Sequence, residues 1–323
     1  LALERTKAEE EAFALYGRLA KVRPPHPEGL NNYGLQLTRR DQLDEAKSAF
    51  QQACAAKPDY ANAHINLGQL FRKQKAMDEA IREFQTARRI EPDNVSLLIN
   101  LAGALEESGR APEAIAAADE ALRLDPNSNR ASKLLSRMMK KSGREADFTR
   151  LCKELGERAS RNAIVVGVLA REAFRARDDK RAIDLYRRSL ALDPNDVEAI
   201  NLGIALRRQD RLADAREAFA QASNLNPKNA RAWGELGRTL LDLEQPKDAI
   251  DPLQKSLEIE NDVQTRFNLA LAYRRTDNYE MAATAYEQLL KLDPKHHRSW
   301  VNLGYARTAL KQYDDAGKAF QQA

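Results

Sequence analysis

Residues 58–84 read PDYANAHINLGQLFRKQKAMDEAIREF, and this stretch decides the fold. Proline opens it, Leu67 and Gly68 follow, Ala80 stands twelve residues after the glycine, and Phe84 lies four beyond that. Both neighbouring stretches repeat the layout. Pro24, Pro58, Pro92 and Pro126 stand 34 residues apart, and the phase continues through Ser160 to Pro194, Pro227 and Pro294, with Asn261 in one proline position. A period of this length is the mark of stacked supersecondary units.

Other positions keep the same step. A small residue recurs at Gly34, Gly68, Ala102, Ser136, Ala170, Gly203, Gly237, Ala270 and Gly304. Ala46, Ala80, Ala114, Ala182, Ala215, Ala249, Ala282 and Ala316 follow at a fixed distance, and then Phe50, Phe84, Tyr186, Phe219, Tyr286 and Phe320. β-branched residues are sparse and helix formers dominate, so the units are helical. The small residue of a first helix facing Ala of a second allows close antiparallel approach, and the large residue is expected to fill the gap to the next pair. Proline ends the second helix, since it cannot extend the hydrogen-bond ladder and drives the residue before it out of the α region.

On these residues, and on segments such as Ala61-Asn-Ala-His-Ile-Asn-Leu-Gly68 and Ala230-Arg-Ala-Trp-Gly-Glu-Leu-Gly237, the chain resembles the tetratricopeptide repeat (TPR) family over nearly its whole length. The resemblance implies an all-α, right-handed superhelical solenoid of antiparallel helix pairs. The expected units are residues 27–60, 61–94, 95–128, 129–162, 163–195, 196–229, 230–262 and 263–296, preceded by the second helix of a partial repeat at 1–26 and followed by an incomplete one at 297–323. Residues 129–162 form the most degenerate unit, with Phe148 in the Ala position, Cys152 in the aromatic position and Ser160 in the proline position; they are either a flexible joint or a drifted repeat. The turns after Pro194 and Asn261 are one residue short, and Pro252 should remove a hydrogen bond from a second helix and kink it. Ala12, Tyr16 and Pro24 are in phase near the start, so the chain reads as a segment of something longer or as one capped by a partner, with end-to-end self-association through its terminal helices as an alternative.

The resemblance places the first helices along a concave groove. The residue before the recurrent Leu is Asn32, Asn66, Asn100, Asn201, Asn268 and Asn302, interrupted by Leu134, Val168 and Glu235. An amide offers both donor and acceptor to an extended peptide backbone. This ladder is similar to that of the TPR region of O-linked N-acetylglucosamine transferases, whereas the carboxylate clamp of chaperone-binding members fits less well, because Leu35, Gln69 and Arg137 stand where its second Asn belongs. On the same face come Arg39, Lys73, Lys141, Arg175, Arg208 and Arg275, with Arg137, Arg171 and Arg238 nearby. Such cations favour an acidic segment or a free C-terminal carboxylate, although solvated helix faces carry Lys and Arg for solubility as well.

Chemistry of other kinds is not legible. Net charge is +4 with 31% charged residues, mean hydropathy is −0.64, and no apolar run reaches bilayer length. Cys54 and Cys152 form no CxxC, and His26, His64, His296 and His297 form neither HExxH nor a ligand set with cysteine, so no metal is expected. No GxGxxG, P-loop or GxSxG occurs, and no cofactor or catalytic residue is assigned. Pairs such as Asp44-Glu45 and Asp78-Glu79 suit the starts of second helices. The expected function is a protein-binding scaffold or adaptor, with the substrate-recruiting region of a larger enzyme such as a glycosyltransferase as the alternative. RNA in a basic groove ranks third, since few aromatics are available for base stacking. For location, the cytoplasm is favoured over the periplasm.

Overall fold

The computed structural model describes residues 2–323, with side chains from Glu10 onward. Among the described residues all regular structure is helical. After α1 (Ala2–Leu19) come consecutive pairs: α2 (Pro27–Arg39) with α3 (Leu43–Ala56), α4 (Ala61–Lys73) with α5 (Met77–Ile90), α6 (Val95–Glu107) with α7 (Ala111–Leu124), and α8 (Asn129–Lys141) with α9 (Glu145–Leu155). Next are α10 (Ala163–Arg175) with α11 (Asp179–Leu192), α12 (Asp196–Arg208) with α13 (Leu212–Leu225), α14 (Ala230–Asp242) with α15 (Pro246–Ile259), α16 (Val263–Arg275) with α17 (Tyr279–Leu292), and α18 (His297–Ala309) with α19 (Tyr313–Gln321). Contacts divide the chain into two compact units, residues 1–162 and 163–323. Each is a solenoid in which a helix packs on its sequence neighbours. None of these helices is long and apolar enough to cross a membrane.

Each hairpin turn is built alike. The first helix ends in a residue with left-handed backbone, at Asp41, Lys75, Gly109, Gly143, Arg177, Asp210, Glu244, Asp277 and Lys311, with φ between 56° and 80°. The next N–H reaches back five residues, as in Gln42 to Leu37 O (3.0 Å), Ala76 to Phe71 O (2.9 Å) and Gln245 to Leu240 O (2.9 Å). This is a Schellman closure, which satisfies carbonyls the helix end leaves open. Polar caps then start many of the first helices: Asn94, Asn195, Asn229 and Asp262 each accept from the backbone N–H three residues on, a contribution of about 1 kcal/mol apiece.

The core follows the period. The phenylalanines Phe50, Phe84, Phe219 and Phe320 of the second helices each rest on the glycine of their own first helix. A Cβ added to Gly34 would come within 2.6 Å of Phe50 Cε1, and one on Gly68 within 2.7 Å of Phe84 Cε1. Absence of a side chain lets a whole ring lie on the helix backbone, which buries Phe50, Phe84 and Phe219 almost completely. Where the ring is Tyr186 or Tyr286, the partner position holds Ala170 or Ala270. Burial pushes both phenols up to about 12.

The irregular places are equally specific. Three residues, Asp193 to Asn195 and Glu260 to Asp262, join α11 to α12 and α15 to α16, against four in turns such as Lys57 to Tyr60. Helix α15 runs from Pro246 to Ile259 through the buried Pro252. Helix α9 is cut to 11 residues and passes at Gly156 (φ 49°) into a 3-10 turn, Gly156–Ala159. There the fully buried Asn162 accepts from Ser132 Oγ (3.0 Å) and donates to Pro126 O (2.9 Å), while Phe148, Leu151, Cys152 and Leu155 stay packed.

Candidate functional site

Within each unit the first helices of successive repeats touch: α2 with α4, α4 with α6 and α6 with α8 in the first, α12 with α14, α14 with α16 and α16 with α18 in the second. That brings their polar faces into a row within each unit. Asn66 Nδ2 donates to Asn31 Oδ1 of the preceding repeat (2.8 Å), and Asn100, only 5% exposed, accepts from Arg130 Nη2 of the following one (3.1 Å). Asn268 accepts from Gln264 (3.2 Å), Asn302 donates to Arg298 O (2.6 Å), Asn201 lies beside the buried Tyr186 hydroxyl, and Asn32 is half-buried. Asn66 and Asn100 are thus tied to adjacent repeats, and Asn268 and Asn302 to the preceding turn of their own helix. Asn31 does not stand out in the sequence, because no other repeat has asparagine in its place, and the Arg130 position is arginine again only at Arg231 and Arg298.

The cations of this face have partners that no local pattern reveals. Lys73 pairs with Asp41 (2.7 Å), Arg137 with Glu106 (2.5 Å), Arg171 with Glu198 (3.0 Å), Arg208 with Asp179 (3.3 Å) and Arg175 with Glu172 (2.9 Å). Arg275 donates to Leu241 O (2.9 Å), and Arg208 also lies 4.0 Å from the Phe174 ring. Arg72 with Glu107 (2.5 Å) and Arg207 with Glu235 (2.6 Å) extend the series. The Arg72 hydrogen bond holds the Glu107 carboxyl below the usual carboxylate range. Most of these pairs link adjacent repeats, so much of the positive charge is neutralised where it stands. Arg39, Lys141 and Arg238 are exposed.

One cleft opens on the row of each unit. In the first unit Gln69, Arg72, Lys73, Asn100, Glu107 and Arg130 line about 460 Å³. In the second, a cleft of about 360 Å³ has Arg231, Glu235, Glu260, Gln264 and Asn268 on its walls and Gly234 on its floor. Beside the row, Glu198 is inserted over Gly167, where any Cβ would strike its carboxylate.

A separate cluster lies on α3, α4 and α5. One ligand atom from each of Cys54, His64 and Glu83 falls within 4.8 Å of the others, so the fold assembles a cysteine–histidine set that spacing along the chain does not display. His64 Nδ1 is 2.6 Å from Glu83 Oε2 and its Nε2 is 3.2 Å from Pro58 O. Hydrogen bonds to Cys54 and then to Glu83 push the imidazole up to about 10. Cys152 is buried in the aromatic position of the degenerate repeat. His26 caps α2, and His296 and His297 are the N-cap and first residue of α18, with His296 against Phe267. Trp233 and Trp300 use their indole N–H groups on Pro227 O and Pro294 O, both at 2.9 Å.

A tetratricopeptide repeat family model matches residues 34–95, 200–262 and 267–323, and a second tetratricopeptide repeat model matches 71–138. The tetratricopeptide repeat-containing protein trd-1 of Caenorhabditis elegans is 30% identical over 146 residues, 44% of this chain and 18% of that protein. The probable UDP-N-acetylglucosamine–peptide N-acetylglucosaminyltransferase SPINDLY of Hordeum vulgare is 27% identical over 151 residues, 44% of this chain and 16% of that one. The aligned part thus spans less than a fifth of either relative. Among solved structures, the crystal structure of MamA aligns with 47% of this chain and 91% of its own, at 24% identity and a TM-score of 0.46. TPR repeats generally mediate protein–protein interaction. With its helix pairs in phase along the sequence and more than half of its residues matched by one repeat model, the chain belongs to the tetratricopeptide repeat family.

Proposed function

We propose that this chain is a non-catalytic interaction scaffold whose first helices hold an extended peptide segment. The observation that carries the reading is the set of hydrogen-bonded amides, Asn66 and Asn100 in the first unit and Asn268 in the second, of which Asn100 and Asn268 line open polar clefts. The bond to Asn31 occupies the Asn66 amino group and leaves its carbonyl; the bond from Arg130 occupies the Asn100 carbonyl and leaves its amino group. A peptide backbone supplies the matching donor and acceptor. Each contact contributes about 0.5–1.5 kcal/mol net, so binding needs several and tolerates varied guest sequences. Arg39, Lys141 and Arg238 supply the preference for acidic segments or a C-terminal carboxylate, a preference that weakens with salt.

The test starts from peptides enriched from a random library on the immobilised chain. Asn66→Ala with Asn100→Ala should weaken the enriched peptide about tenfold, near 1.4 kcal/mol, and Asn201→Ala with Asn268→Ala should act likewise on guests of the second unit. Unchanged affinity in both pairs removes the ladder from the binding site.

A second reading, as the recruiting region of a larger glycosyltransferase, is supported by the likeness to SPINDLY. Assay of the full-length gene product for sugar transfer to a peptide decides it; no transfer, or a gene product that carries no catalytic domain, sets it aside. Association through the terminal helices is also proposed, and a molar mass in light scattering that stays constant across a concentration series eliminates it.

A further inference from the structure

We infer that Cys54, His64 and Glu83 form a binding site for one divalent transition-metal ion of the zinc type, which joins two adjacent repeats of the first unit. The donor set comes from three successive helices, α3, α4 and α5, with one atom from each residue within 4.8 Å of the other two. The His64 and Glu83 side chains are 12% and 26% exposed, and Cys54 is half-buried, so the ligands are sheltered yet open to an ion.

The position of His64 within the repeat sharpens the point. Trp233 and Trp300 occupy the same place, four residues before Gly237 and Gly304, and each spends its single ring N–H on the proline carbonyl six residues earlier. His64 Nε2 faces the equivalent carbonyl, Pro58 O. Histidine therefore keeps the local bond and adds a second nitrogen, Nδ1, which is aimed at Glu83. A ligand histidine whose other N–H is fixed by a backbone carbonyl is the usual outer-shell arrangement at metal sites. Glu83 is as unusual as His64. Its place, one residue before the aromatic position, is filled elsewhere by Ala49, Ala117, Leu151, Leu185, Ala218, Pro252, Ala285 and Ala319. An acid set into an otherwise apolar position, opposite a histidine and beside a thiol, is not called for by the repeat.

Without an ion, both His64 nitrogens face acceptors, so the ring must carry two protons to satisfy them. A dication takes the place of the Nδ1 proton and of the Cys54 thiol proton, and the two protons leave to solvent. Thiolate, imidazole and carboxylate together suit zinc, at ~2.0–2.3 Å from each donor. Glu83 Oε2 has to withdraw from its 2.6 Å contact with Nδ1 as the ion enters, a movement its side-chain torsions allow. Three protein ligands leave a fourth position to water.

Cobalt(II) titrated into the full chain under reducing conditions is the test. The expected result is one ion per chain, with a thiolate-to-cobalt charge-transfer band and visible bands of tetrahedral intensity, both erased by zinc. Cys152→Ala should keep the bands. Cys54→Ala and His64→Trp should lose them, and His64→Trp should stay folded by circular dichroism because it recreates the tryptophan of the later repeats. No bands in the unaltered chain, bands retained by Cys54→Ala, or bands retained by His64→Trp would each overturn the assignment.

Discussion

The ring of Phe219 lies on the backbone of Gly203, so close that a Cβ on the glycine would stand 2.6 Å from Phe219 Cε1. Phe219 is wholly buried between helices that cannot separate without opening the core. Alanine is the better helix former by about 1 kcal/mol, yet the clash dominates. Gly203→Ala should destabilise by about 1–3 kcal/mol, read as a lowered thermal midpoint. A midpoint at or above that of the parent would mean that the ring yields freely.

The hairpin turns invite the opposite change. Glu244 is exposed and holds φ 58° between α14 and α15, a conformation disfavoured by about 1–2 kcal/mol for residues with a Cβ. Glu244→Gly should raise stability by about 0.5–1 kcal/mol after the loss of unfolded-state restriction is counted. Glu244→Val should lower it, since a branched Cβ tolerates the left-handed region least. Calorimetry on the two variants must show shifts of opposite sign.

The pair of Arg171 and Glu198 is asymmetric: the acid is 7% exposed and the base 39%. Removing the base strands a buried carboxylate, one of whose oxygens already has no hydrogen-bond partner among the described residues. Arg171→Met should cost about 2 kcal/mol, below the range for fully buried pairs because water reaches the arginine. Glu198→Gln in the same background should recover part of that loss. Additive losses in the double-mutant cycle would show that the two side chains are not coupled.

Asp196 at the start of α12 accepts from Asn229 Nδ2 (2.7 Å) and Asn226 Nδ2 (2.8 Å), and these bonds, that from Asn229 foremost, lower its pKa. A carboxylate with a depressed folded pKa contributes stability that is complete above its unfolded value of about 4 and is lost as pH falls through the folded value. The thermal midpoint of the parent should therefore fall more steeply on acidification than that of Asp196→Asn. Parallel profiles through that range would remove Asp196 from the acid response.

The candidate site was only half legible. Asn66 and Asn100 announce themselves because they recur at one place in the period. Asn31, Glu106 and Asp179 do not recur, Arg130 does so only at Arg231 and Arg298, and the importance of all four comes from contacts made about 30 residues away. The basic face read from Lys73, Arg137, Arg171 and Arg208 is, once folded, largely a set of ion pairs between neighbouring repeats.

What the sequence determined by itself was the helix pair and its repetition, because proline stops, small residues and apolar spacing act through local backbone geometry and recur in phase. Only the tertiary structure decided that Phe50 covers Gly34 of its own repeat, that Glu198 lies over Gly167, and that Cys54, His64 and Glu83 converge. Those meetings depend on how far each helix is rotated about its axis against the next. That rotation is set by the packing of several side chains at once, and a period along the chain carries no record of it.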